Sequence, residues 1–196
     1  MKRLVCMLAV LAVVFGASLA AGAVSVEGDA SYLMGFGDNK GQGFAAHAKV
    51  ELMAEVFADA GFSYVTFGEE RTETLLTLGG LYRVASEEDL QIFIGGGYAM
   101  LTLPENAEEN KGNGIFGKFG FTLIPGPKMT LVADVGYAPH VKLNGADDPV
   151  SLITARATLS YEVMENIAVQ GTVKHYRAGK DIQSGVLIGG GVAISF

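Results

Sequence analysis

The chain has 196 residues, 49% of them hydrophobic, with a mean hydropathy of +0.33 and a formal net charge of −7. Such an acidic balance argues against a nucleic-acid partner. The one cysteine, Cys6, falls in a segment expected to be removed, so neither disulfides nor a reactive thiol are expected in the mature chain.

Met1-Lys2-Arg3, the apolar run from Leu4 to Phe15 and the small residues from Gly16 to Ala23 have the three parts of a secretory signal peptide. Ala21-Gly22-Ala23 suits the cleavage rule, with Ser18-Leu19-Ala20 as the other site. The apolar run is shorter than the roughly 20 residues of a bilayer-spanning helix, which speaks against a retained anchor. The expected organisation is a signal peptide at 1–23 and a single domain at 24–196, the latter carrying 12 basic and 21 acidic residues.

Downstream of Ala23 no apolar run is long enough for a membrane helix, yet the chain stays hydrophobic. A transmembrane β-barrel resolves this, because its membrane signal is alternation and not a continuous run. Ten alternating stretches follow, at 24–36, 43–53, 56–68, 74–85, 90–103, 114–124, 129–143, 151–163, 166–178 and 184–196. Most exceed the 9 to 11 or so residues that cross an outer membrane at a tilt, and an even number returns both ends to the periplasm. The fold class expected is all-β, an antiparallel up-and-down barrel of about ten strands, with eight as the runner-up.

The connectors alternate in kind. Ala54-Glu55, Ser86 to Asp89, Pro125 to Lys128 and Met164-Glu165 are tight, as periplasmic turns are. Those at 37–42, 69–73, 104–113, 144–150 and 179–183 are polar and assigned to the exterior. The acidic stretch Pro104 to Lys111 is read as a mobile, solvated loop. Gly95-Gly96-Gly97 and Gly189-Gly190-Gly191 are read as close packing in a curved sheet, since a phosphate loop would need a following helix.

Alternation alone does not say which face meets lipid. In the eighth stretch Ile153, Ala155, Ala157, Leu159, Tyr161 and Val163 oppose Thr154, Arg156, Thr158, Ser160 and Glu162. The polar face is small and rich in hydroxyls, whereas the outside of a soluble barrel is dense in Lys and Glu. It is therefore expected to line a crowded polar lumen. Tyr32, Phe36, Phe44, Phe62, Tyr64, Tyr82, Tyr98, Tyr137, Tyr161 and Phe196 gather near strand ends, as interfacial aromatic girdles do.

The last stretch sets Val186, Ile188, Val192, Ile194 and Phe196 against small residues and closes on a terminal aromatic. Together with the export signal and the tight turns on one side, this resembles the small outer-membrane β-barrel family that includes OmpA-like, OmpW-like and opacity-type proteins. The resemblance implies a porin-like protein of the cell envelope, located in the outer membrane after export through the periplasm. It also implies that Ile194 and Phe196 form the assembly signal read by the barrel-assembly machinery. Many relatives have eight strands, so ten would be a departure.

Projecting side chains by alternation gathers Glu27, Asp29, Lys49, Glu51, Asp59, Arg83, Lys118, Asp134, Arg156, Glu162 and Lys174 in the lumen. Lys118, Asp134 and Arg156 fall at similar depth on neighbouring strands, an acid between two bases. Unpaired charge in a narrow interior costs several kcal/mol, so mutual pairing is expected. Such a network either fills the barrel or lines a constriction for small solutes. The three histidines, His47, His140 and His175, stand on separate strands with no nucleophile adjacent in sequence. A His140/Asp147-Asp148 hydrolytic or metal site has little to recommend it, because a solvated loop explains the same residues.

The expected role is that of a structural surface protein or a narrow passage for small solutes, its lumen largely plugged by salt bridges, with no catalysis, cofactor or metal. The expected partners are outer-membrane lipid and, during biogenesis, the assembly machinery, with no nucleic acid and a monomeric state. A soluble periplasmic barrel binding an apolar ligand is the alternative from another class. An outer-membrane lipid- or peptide-modifying hydrolase is a minor one.

Overall fold

The alternating stretches build ten strands: β1 (Val26–Gly35), β2 (Gly41–Met53), β3 (Val56–Phe67), β4 (Arg71–Ser86), β5 (Leu90–Glu105), β6 (Glu108–Gly126), β7 (Met129–Leu143), β8 (Val150–Met164), β9 (Ile167–Ala178) and β10 (Ser184–Ser195). The structure, a computed structural model, describes residues 25–35, 41–67, 71–105, 108–144, 149–179 and 184–196. The expected signal peptide and Phe36 lie outside them.

Each strand pairs antiparallel with its chain neighbours, and β1 pairs with β10 from Glu27↔Ser195 to Gly35↔Leu187, closing the barrel. The amides of Val26 and Phe196 each donate to the other's carbonyl at 2.9 Å, which finishes the seam. Closure is what lets a sheet enter hydrocarbon, since an open edge would leave its amides and carbonyls without partners.

Four short turns and the seam share one end of the barrel, called here the turn end; the other is the loop end. Glu55 (φ 70°) and Asn166 (φ 66°) occupy the left-handed region at two of these turns. Asn tolerates that conformation. Glu55 is held in it by its carbonyl, which accepts from Arg83 N at 2.8 Å, and by Tyr82 Oη, which donates to Glu55 Oε2 at 2.9 Å.

One expectation is corrected. Of the stretch Pro104 to Lys111, residues 104–105 and 108–111 are strand and not free loop, since the β5–β6 ladder continues through Pro104↔Glu109 to Glu105↔Glu108; residues 106–107 lie outside the described residues. Hairpin arms satisfy each other's backbone groups whatever their side chains, so an acidic sequence does not stop pairing.

Alternation sends two kinds of side chain to the two faces. Outward, Ile94, Ile115, Phe119, Val135, Leu159, Val163, Val173, Val186, Ile188 and Val192 are exposed. Over the middle of the strands this face carries no Asp, Glu, Lys or Arg among the described residues; Lys111, Lys142 and Arg177 sit on it near the loop end. The described aromatics of the expected girdles all fall on it, with Tyr32 and Phe44 in edge contact at 5.2 Å between ring centroids. So much exposed apolar surface is unfavourable in water and suits a bilayer. The barrel is an outer-membrane one on this ground: antiparallel closure with a greasy outer band.

Candidate functional site

The inward side chains form three storeys. At the loop end, Leu75, Ala99, Leu101, Leu103, Phe116, Ala138, Val141, Leu143, Leu152, Tyr176 and Ala178 make one buried apolar cluster, and Leu33, Ala45, Val65, Phe67 and Leu187 another. Leu33, Leu101, Leu187 and Val141 are at most 2% exposed. The expected polar lumen is thus corrected for this half, where the inward side chains are mostly apolar, with Ser63 and Glu73 buried among them.

Below this cap lies a plate of charge. Asp59, with a side chain only 1% exposed, accepts from Lys118 Nζ at 3.0 Å through both carboxylate oxygens. His47 Nε2 stands 2.6 Å from Asp59 Oδ1, and its Nδ1 3.4 Å from Asp29 Oδ2, so the ring faces both acids at once. Arg156 bridges the far side, donating from Nε and Nη2 to Asp134 Oδ2 at 2.8 Å and from Nη1 to Asp29 Oδ2 at 3.2 Å. Lys118 Nζ lies 3.9 Å from Asp134 Oδ1, which links the two sides.

Glycines make this reach feasible. Between Asp59 on β3 and Lys118 on β6, the register puts Gly79, Gly97 and Gly95 at the inward positions of β4 and β5. The lysine stem therefore crosses bare wall. A Cβ on Gly95 would strike the Gly80 carbonyl, and one on Gly97 the Leu78 carbonyl, so side chains are excluded there. Gly189 and Gly191 do the same on β10: Ser31 on β1 meets Thr172 on β9 at 3.1 Å across it, Thr172 meets Thr158 at 3.1 Å, and Gln170 Nε2 donates to Ser31 Oγ at 2.8 Å.

Under the plate a cavity of about 500 Å³ reaches the turn end, where Lys128, Glu165 and Asn166 line its mouth. An eight-stranded barrel is filled by its own side chains, and two additional strands widen the bore enough to leave such a space. Phe57, Leu81 and Phe93 pack on one side of it. Lys49 Nζ pairs with Glu27 at 2.9 Å and lies 4.6 Å from the Phe93 ring centroid.

No family model matches the chain, and no curated protein matches it in sequence. Solved structures do share its architecture. An outer-membrane channel from Pseudomonas putida F1 is similar with a TM-score of 0.56 and 9% identity over 88% of this chain and 95% of that one. A bacterial polysaccharide outer-membrane secretin gives 0.53 and 11% identity over 86% of this chain and 69% of its own. The N-terminal β-barrel domain of Pseudomonas aeruginosa OprF gives 0.42 and 14% identity over 88% and 97%. The chain has the fold of the outer-membrane β-barrel proteins.

Within this outer-membrane barrel the eleven charges read from the sequence divide. Asp29, Asp59, Lys118, Asp134 and Arg156 share the plate, whereas Glu27 and Lys49 form a separate pair nearer the turn end. Glu51 accepts from Ser25 Oγ at 3.2 Å, and Glu162 lines the mouth of the cavity. Arg83 lies 5.4 Å from the Phe57 ring centroid with its Nε buried and unpartnered among the described residues. Lys174 stands on the cap side of the plate. Ile194 and Phe196 point outward beside the seam, Phe196 being exposed.

His47 was missed as a member of the plate. Its signal was available, because it shares inward parity with Lys49 and its register partner is Gly61, two positions from Asp59. His175 faces outward between Ala155 and Val186. His140 is exposed, and Asp147-Asp148 lie outside the described residues.

Proposed function

We propose that this outer-membrane barrel is a closed structural protein of the cell surface, passing at most rare small solutes and performing no catalysis. The observation that carries this reading is the stacking of two different obstructions, a tightly packed and mostly apolar cap over an ion-paired plate. Either alone would narrow the bore; together they oppose both water and ions. The absence of catalysis is supported by the commitments of the inward groups: His47 faces two carboxylates, and Ser31 Oγ is engaged by Thr172 and Gln170. In the same reading the barrel is monomeric, surrounded by lipid, and delivered by the barrel-assembly machinery through Ile194 and Phe196.

Planar-bilayer recording of the purified mature chain tests it. Negligible wild-type current is expected, with brief openings becoming more frequent in Arg156→Ala, which removes the guanidinium shared by Asp29 and Asp134. A large, steady wild-type current would overturn closure.

A further inference from the structure

Between the plate and the apolar cap lies a second, smaller cavity of about 70 Å³. One water needs about 10–15 Å³ on this measure, so the space holds a small ion with a few waters. Its charged lining is one-sided. Lys118, Arg156 and Lys174 all border it, whereas of the three plate carboxylates only Asp134 does, Asp29 and Asp59 lining the cavity below. Asp134 is already engaged, its Oδ2 by Arg156 at 2.8 Å and its Oδ1 3.9 Å from Lys118.

Lys174 is the decisive group. It points inward from β9, directly opposite Arg156 in register. Among the described residues it has neither a carboxylate within ion-pair distance nor a hydrogen-bond partner, although each cation of the plate has both. An ammonium held inside the bore next to two further cations, with no carboxylate in contact, is unfavourable. The buried Glu73 borders a smaller space above together with Lys174, and it is itself engaged. Thr154, also on the lining, adds a hydroxyl able to donate.

We propose that the cavity between the ion plate and the apolar cap is a binding site for a small monovalent anion of the halide class, held by Lys174 with Arg156 and Lys118 behind it. The proposal is independent of whether the barrel conducts, because it concerns a resident counterion and not a permeating one.

Crystals of the folded barrel soaked in sodium bromide provide the test. An anomalous bromine peak beside Lys174 Nζ is expected in wild type and in Lys174→Arg, and none in Lys174→Met. Heat-modifiable gel mobility checks that each variant is folded, and Lys174→Met removes the charge while keeping a long, unbranched side chain. In detergent solution the wild-type unfolding midpoint should be higher in bromide than in gluconate at equal ionic strength, a difference that Lys174→Met abolishes. A wild-type cavity without bromine, a peak only in the larger cavity, or a peak that persists in Lys174→Met would each overturn the site.

Discussion

Toward the loop end, Leu33, Leu101, Val141 and Leu187 fill the bore with apolar side chains; toward the turn end the same wall surrounds a cavity of about 500 Å³ where hydroxyls and charges stand beside Leu81 and Phe93. The same ten strands form both halves, so much of the difference lies in the side chains they turn inward. At the loop end the inward positions hold Leu, Phe and Val, and the barrel is packed like the interior of a soluble domain. At the turn end Thr122, Thr130, Ser160 and Ala193 are too small to meet across ten strands. The plate separates the two regimes. One half therefore behaves as a core and the other as a vestibule.

This contrast can be broken most directly at the boundary. Asp59→Ala strands Lys118 and His47 without their shared acid, and a loss of about 3–5 kcal/mol is expected from urea unfolding of the barrel in lipid vesicles. A loss near zero would mean that the plate is hydrated and not a sealed layer. Next comes the cap, where Leu101→Ala should cost about 2–5 kcal/mol in the same assay, because a side chain 1% exposed leaves a void behind it.

The outer wall gives a slightly smaller effect. Ala157 faces outward at mid-strand beside Ala133 and Val173. Ala157→Arg is expected to cost about 2–4 kcal/mol and to slow assembly, read as the fraction of heat-modifiable protein. Unchanged assembly would count against lipid at that face. The weakest effect belongs to the vestibule: Glu27, half exposed where it pairs with Lys49, should lose less than about 1 kcal/mol on replacement by Ala. If Glu27→Ala proved as costly as Leu101→Ala, the distinction between core and vestibule would fail.

Much of the wall was legible beforehand because a barrel strand obeys a two-residue period over its entire length. The stretches expected at 129–143 and 151–163 match β7 (Met129–Leu143) and β8 (Val150–Met164) within a residue at each end. Ten strands were readable from the turns, and the outward aromatics from parity. The acidic arms of the β5–β6 hairpin, at 104–105 and 108–111, were misread because a polar sequence suggests loop, although polarity is compatible with strand as well. The apolar cap was missed for a related reason. In β5 Met100, Leu101 and Leu103 break the alternation, and a run apolar on both sides does not reveal that one side faces the bore.

Parity, then, decided by sequence alone which residues point inward, and that is a local property of the pleat. Depth along the axis and distance across the bore were decided only by the closed fold, because they depend on register and on strands far apart in the chain. His47 joins Asp29 and Asp59, and Lys118 reaches Asp59 over bare glycine wall, through contacts that no single strand encodes. That Lys174 has no carboxylate in contact among the described residues is likewise a tertiary matter, set by everything packed around it.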